Sequence, residues 1–162
     1  MPINHDLKPS HYQALADFRY QIRRFLRLSE EAARHAGLEP HHHQLLLAVK
    51  GVPKGVAPRI AYLAERLQIQ HHSAVELVDR LVKRGLIHRL HGDQDRREVH
   101  VRLTAKGERI LKDLTLYHRD ELRTAGPALV ATLKRVMITT RTICQSPAGQ
   151  ASDKASGESK SA

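Results

Sequence analysis

The sequence predicts a mainly α fold that carries one small β-hairpin. Three observations predict it. Apolar residues recur at helical spacing over most of the 162 residues. The period changes to strict alternation at Val99-His100-Val101-Arg102-Leu103. Aromatic residues make up only 4% of the chain and Trp is absent, so Leu, Val, Ile and Ala must build the core, which suits packed helices.

Taken in order, Met1 to Pro9 read as a polar arm. Ser10 and Gln13 have capping-box spacing and predict a helix start. Tyr12, Leu15, Phe18, Ile22, Phe25 and Leu26 follow at helical spacing, with Arg19, Arg23, Arg24 and Arg27 among them. This helix is expected to run to about Ala36, where Gly37 can adopt the left-handed terminating conformation. Pro40 suits the first position of a second helix containing Leu45, Leu46, Leu47 and Val49. Gly51, Pro53, Gly55 and Pro58 mark a loop.

A third helix is predicted over Pro58 to Leu67, with Ile60, Leu63, Ala64 and Leu67 on one face. The turn Gln68-Ile69-Gln70 leads to a fourth, from about His71 to Arg84, ended by Gly85. Its expected inner face is Val75, Val78, Leu81 and Val82; its outer face is His72, Ser73, Glu76, Asp79, Arg80 and Lys83. Leu86 to Leu90 and Val99 to Leu103 read as two strands flanking a polar tip, His91 to Glu98. A helix from Thr104 carries Ile110, Leu111, Leu114, Tyr117 and Leu122, and Gly126-Pro127 is expected to break it. A last helix carries Leu129, Leu133, Val136, Met137 and Ile143. From Ser146 the composition is that of a disordered tail. The expected organisation is one domain over 1–145, with a central lobe at about 40–107, flanking helices at 10–36 and 108–145, and a tail at 146–162.

The net charge is +10 with a pI near 10.2, which points to a polyanionic partner, nucleic acid or an acidic membrane surface. The single cysteine, Cys144, allows no intramolecular disulfide and fits a reducing cytosol. Met1 to Lys8 lack an apolar signal-peptide core, and no stretch approaches the roughly 20 apolar residues that span a bilayer. A cytoplasmic protein with no membrane partner is expected. No Gly-rich phosphate loop, nucleophile elbow or His-Glu-x-x-His appears, so an enzyme is not expected.

Two short helices joined by a tight turn, followed by a basic hairpin, describe a winged helix-turn-helix. In such proteins the N-terminal residues of the second helix meet base edges in the major groove. Here these are Gln70, His71, His72, Ser73 and Glu76. Ser and Gln can bond several base atoms, and Glu can accept from a cytosine amine. Arg80 and Lys83 lie further along and suit phosphate contacts; Arg89, in the first strand, joins the basic set. Arg96 and Arg97 stand at the hairpin tip among Asp93, Asp95 and Glu98. Such an arginine can enter a narrow minor groove, with Asp95 as the carboxylate that orients it when DNA is absent.

The chain resembles the multiple-antibiotic-resistance regulator (MarR) family. The resemblance rests on Leu63-Ala-Glu-Arg-Leu67, on Val78-Asp-Arg-Leu-Val-Lys-Arg-Gly-Leu-Ile87, and on Asp95-Arg-Arg97 followed by Val99-x-Val-x-Leu-Thr-x-x-Gly107, and covers about Ser10 to Ile143. It implies a homodimer held by the first and last helices, a palindromic operator, and repression relieved by a small aromatic or phenolic effector. It matches Arg97 to the family's minor-groove arginine and Asp95 to the acid beside it. Tyr20, Arg23 and Arg24 are candidates for lining an effector cleft. The chain departs from the family pattern at Ala57-Pro58-Arg59 and at Glu76, which bears on the target sequence rather than on the fold. Dimerisation also has an independent argument, because the terminal helices carry apolar stripes that a small lobe cannot cover. Two readings compete with a sequence-specific regulator: a non-specific architectural DNA binder and a winged-helix protein-interaction module.

The twelve histidines raise a metal site. His41, His42 and His43 are adjacent, as are His71 and His72, and helical neighbours point in different directions. No bound metal or cofactor is expected, and the histidines are expected to be solvated or DNA-facing. Cys144, at the end of an apolar helix, reads as a packed small hydrophobe rather than a redox switch.

Overall fold

The computed structural model describes residues 7–91 and 99–144. The elements are α1 (Pro9–His35), α2 (Pro40–Lys50), α3 (Ile60–Leu67), α4 (His71–Lys83), β1 (Ile87–His91), β2 (Val99–Leu103) and α5 (Ala105–Cys144). The fold is mainly α with one antiparallel hairpin, as the sequence predicts. The described residues divide into two compact units, one within Ile22–Pro127 and a second from the described parts of Met1–Gln21 and Ala128–Ala162.

The larger unit is organised around an aliphatic core. Leu38, Leu45, Leu46, Leu63, Val78, Leu81, Leu86, Ile87 and Val101 are fully buried. Each such side chain contributes roughly 1.5–3 kcal/mol of transfer free energy. Pro40 opens α2, and Gly37 (φ +73°) supplies the left-handed turn out of α1. In the hairpin, Ile87 pairs with Leu103 and Arg89 with Val101, so these residues face the core side while His88 and Arg102 form the opposite pair.

The junction after α4 explains the Leu-Thr-x-x-Gly run. Thr104 caps α5: its Oγ1 accepts from the Gly107 N–H at 3.0 Å. The same hydroxyl donates to the Gly85 carbonyl at 2.8 Å, and the Thr104 N–H donates to the Leu86 carbonyl at 3.0 Å. The helix therefore passes so close to Leu86 that a Cβ on Gly107 would lie 2.1 Å from its carbonyl oxygen. Only glycine fits there.

Five expectations need correction. α1 begins at Pro9, so Ser10 lies inside the first turn rather than at the cap. The capping role falls to His11, whose Nδ1 accepts from the Lys8 N–H at 2.7 Å. α3 begins at Ile60 rather than Pro58, because Arg59 is extended (φ −78°, ψ 157°). Pro58 and Arg59 run beside β2 instead: the Pro58 carbonyl accepts from the Val101 N–H at 3.1 Å, and Arg59 bridges His100. The buried face of α4 is Ala74, Leu77, Val78 and Leu81; Val82 is exposed and Val75 half-buried. The stripe is rotated by one residue because small Ala74 permits the close approach that the larger Val75 would hinder.

α5 does not break at Gly126-Pro127 but continues through Pro127 for 40 residues. Proline inside a helix costs about 3 kcal/mol through its missing N–H and ring clash. Part of the clash is with the Cβ of the preceding residue, and Gly126 has none. Lastly, His42 and His43 are buried rather than solvated or DNA-facing.

In the smaller unit, Asp17 and Arg135 pair at 3.0 Å, and Ala14 and Thr132 are buried. Among the described residues the apolar stripe beside them is left exposed: Tyr12 is 62% exposed, Leu15 49%, Val130 50% and Met137 52%.

Replacing Gly107 with Ala is expected to cost at least about 1–3 kcal/mol, the usual cost of overpacking against a wall that cannot yield. Urea unfolding measures it; an unchanged midpoint would contradict the close approach.

Candidate nucleic-acid interface

The helix-turn-helix is formed by α3 and α4. α3 ends at Gln68, which takes the left-handed conformation (φ 55°) despite its side chain. Its Nε2 donates back to the Glu65 carbonyl at 2.8 Å, and the Ile69 N–H returns to the Ala64 carbonyl at 3.0 Å. These bonds satisfy carbonyls that a helix end leaves open. Half-buried Ile69 packs against the core and fixes where α4 begins.

With Ala74, Leu77, Val78 and Leu81 inward, the opposite face of α4 is set. Gln70 stands at its N-cap without a side-chain cap bond, leaving its amide free for other partners. His71, His72, Glu76, Arg80 and Lys83 are exposed, and Ser73 is half-buried. Thus the sequence-predicted residues of α4 come together along one accessible face and its N-terminal end. Arg80 Nη2 lies 3.3 Å from Glu76 Oε2, one turn earlier. Both are largely exposed, so the pair is worth only about 0.3–0.5 kcal/mol and yields readily to a phosphate.

Arg89 is placed differently from the rest. It lies on the core side of β1, and its Nη2 reaches Asp79 Oδ1 of α4 at 2.9 Å. This bond ties the hairpin to the recognition helix. The hairpin's outward pair, His88 and Arg102, is exposed. Sequence reasoning did not single out Arg102, although strict alternation with Val101 and Leu103 was the signal that could have found it. Asp95, Arg96 and Arg97 lie outside the described residues, as does the tail beyond Cys144.

Two buried histidines sit behind this face. His43 of α2 stacks on His118 of α5, with ring centroids 4.8 Å apart and planes 11° apart. His118 Nδ1 donates to the Leu114 carbonyl at 2.6 Å, so its Nε2, 2.8 Å from Ser29 Oγ, accepts from that hydroxyl when the ring is neutral. Desolvation, then the adjacent His118, pushes the His43 pKa down to about 4. His42 is also lowered, by burial and then by Arg84. Among the described residues, no three His, Cys, Asp or Glu side chains are grouped to hold a metal ion.

A cavity of about 250 Å³ lies beside α5, lined by Lys50, Glu108, Leu111, Lys112, Thr115 and Leu116. Lys50 and Glu108 pair there at 2.6 Å, and this hydrogen bond lowers the Glu108 pKa. Tyr20, Arg23 and Arg24 are exposed on α1. No helix among the described residues is long and apolar enough to cross a membrane.

The His43 shift carries a sign. The unfolded imidazole takes up a proton near pH 6.5, the folded one only near 4. Stability is therefore fully present above 6.5 and falls as pH drops from 6.5 towards 4. The melting temperature is expected to decline over that window in the native protein and less so in His43→Phe; parallel declines would contradict the assignment.

The MarR family model matches residues 36–98. Comparison with curated proteins gives no match. Among solved structures, the chain is similar to AbsC, a MarR family transcriptional regulator from Streptomyces coelicolor, at 18% identity, covering 83% of this chain and 90% of that one with a TM-score of 0.66. It is similar to a variant of MepR from Staphylococcus aureus bound to an oligodeoxyribonucleotide, at 17% identity, 83% and 98% coverage and a TM-score of 0.56. It is also similar to BpsR of Bordetella bronchiseptica, described with regulation of its DNA binding by 6-hydroxynicotinic acid, at 18% identity, 80% and 91% coverage and a TM-score of 0.57. At these identities the likeness establishes the fold. The MarR family model thus matches the stretch 36–98, and the described residues take the fold of solved MarR-family regulators.

Proposed function

We propose that this protein is a sequence-specific DNA-binding transcriptional regulator that occupies a palindromic operator as a homodimer and acts as a repressor. The observation that carries the reading is the accessible face of α4, with Gln70, His72, Ser73 and Glu76 towards its N-terminal end and Arg80 and Lys83 beyond. The first group has the donors and acceptors to read base edges, and the second the charge to grip phosphate. The net charge of +10 supports a polyanionic partner. The MepR variant described as bound to an oligodeoxyribonucleotide supports DNA as that polyanion.

A second copy supports the rest. Exposed apolar side chains along both terminal helices, among them Tyr12, Leu15, Val130 and Met137, form the kind of surface that usually marks an interface. A two-fold dimer sets its recognition helices about one DNA turn apart, which is why a palindrome is expected. An aromatic or phenolic acid as effector is supported by the BpsR description and by the 250 Å³ apolar cavity flanked by Lys50 and Lys112. Such a ligand relieves repression by favouring a form that cannot span both half-sites. The wing completes the reading, with Arg96 and Arg97 as minor-groove contacts and Asp95 as the carboxylate that orients the arginine when DNA is absent.

The test is binding to the duplex upstream of the protein's own gene against scrambled duplex of equal length, at two salt concentrations. A preference of roughly a thousandfold or more, with a steep salt slope, is expected. Equal binding to both points to an architectural DNA binder, and no binding to either removes the reading. Ser73→Ala is expected to weaken the specific complex by about 1–3 kcal/mol and spare the non-specific one. Lys83→Ala is expected to weaken both and lower the salt slope by about one.

A further inference from the structure

Arg84 follows α4 and closes its last turn, its N–H donating to the Arg80 carbonyl at 3.1 Å. An exposed arginine at that point would ordinarily read as one more phosphate contact. Its side chain, however, is committed elsewhere. Nη2 donates to the Gly37 carbonyl at 2.6 Å, and Nη1 lies 3.2 Å from His42 Nδ1. Gly37 ends the turn out of α1, and His42 stands buried in the first turns of α2. From the other side, Lys106 Nζ of α5 donates to the Arg84 carbonyl at 3.3 Å. One residue at the foot of the recognition helix therefore meets three other elements.

We infer that Arg84 is a positioning residue, which fixes the angle of α4 by bonding it to the corner between α1 and α2 and so sets how the recognition helix meets its operator. This rests on the DNA-binding reading above. The physical argument is the fork of the guanidinium. Its two nitrogens point in fixed directions and serve two acceptors held by different elements, so α4 cannot rotate without breaking one bond or the other. An ammonium is a single point on a flexible stem and fixes no such angle. His42 accepts through Nδ1 only as the neutral ring, which burial and the neighbouring Arg84, Arg80 and His41 favour against the opposing charge of Glu39.

A phosphate contact and a positioning bond predict different measurements. The experiment compares the full-length protein with Arg84→Met, Arg84→Lys, His42→Ala and the Arg84→Met/His42→Ala double variant. Affinity is measured for the specific and the scrambled duplex across a salt series, with melting temperature as the control for folding. Arg84→Met is expected to lower specific affinity about tenfold, the order that one mismatched base pair costs, with scrambled-duplex affinity and salt slope unchanged. Arg84→Lys should not restore it, although the charge is kept. His42→Ala should give a smaller loss that does not add to that of Arg84→Met.

An equal loss on both duplexes, with the slope reduced by about one and restored by lysine, overturns the inference and makes Arg84 a phosphate contact. Unchanged specific affinity in Arg84→Met overturns it as well. If the unaltered protein shows no preference between duplexes, the parent reading fails and takes this inference with it; a preference that survives in all four variants removes the inference alone.

Discussion

Everything in the larger unit depends on how closely the chain can pass itself after the recognition helix. At Gly107 the first turn of α5 lies against the Leu86 carbonyl, with no room for a Cβ. Thr104 closes the same junction with bonds to Gly85 and Gly107. Because a backbone carbonyl cannot swing aside as a side-chain tip can, this contact sets the distance between the end of α4, the root of the hairpin and the start of α5 together. The buried Leu81, Leu86, Ile87 and Leu111 then fill what that distance leaves. The result is a packed base from which the polar and charged side chains of α4 project, with Val82 beside them.

The charges on that projecting face are held loosely, and those behind it are held firmly. Glu76 and Arg80 share an exposed pair that costs little to break. Asp79 with Arg89, and Arg84 with Gly37 and His42, link α4 to its neighbours instead. Side chains available for a ligand and side chains that aim the helix are thus separated, although they are the same residue types only a turn apart. Loose contacts suit exchange for phosphate; a guanidinium shared between a backbone carbonyl and a buried ring suits geometry.

Much of this was legible in the sequence. The period change at Val99, the helical stripes and the turn Gln68-Ile69-Gln70 gave the order of elements up to α5 and the exposed residues of α4, though its buried stripe lies one residue from the expected one. Most of what escaped was decided by contacts distant in sequence. Pro58 and Arg59 scan as a helix start, but pairing with β2 at Val101 and His100 draws them out straight. Gly126-Pro127 scans as a break, but a glycine before proline removes part of the steric penalty that makes one. His42 and His43 look like surface residues by type, yet α5 supplies a stacking ring and α4 a guanidinium that make burial tolerable. Arg84 carried no periodic signal, since its partners are 47 and 42 residues away.

The claim that α4 meets DNA through its N-terminal half and outer face can be tested residue by residue. Amide resonances of the isotopically labelled protein, followed as duplex is added, report which backbone groups sense the nucleic acid. The account predicts the largest changes from Gln70 to Arg80 and in the hairpin around His88 and Arg102, with the buried positions near Leu45 and Leu46 little altered. Changes concentrated instead on α1 or on α5 beyond Leu116, with α4 unmoved, would contradict it.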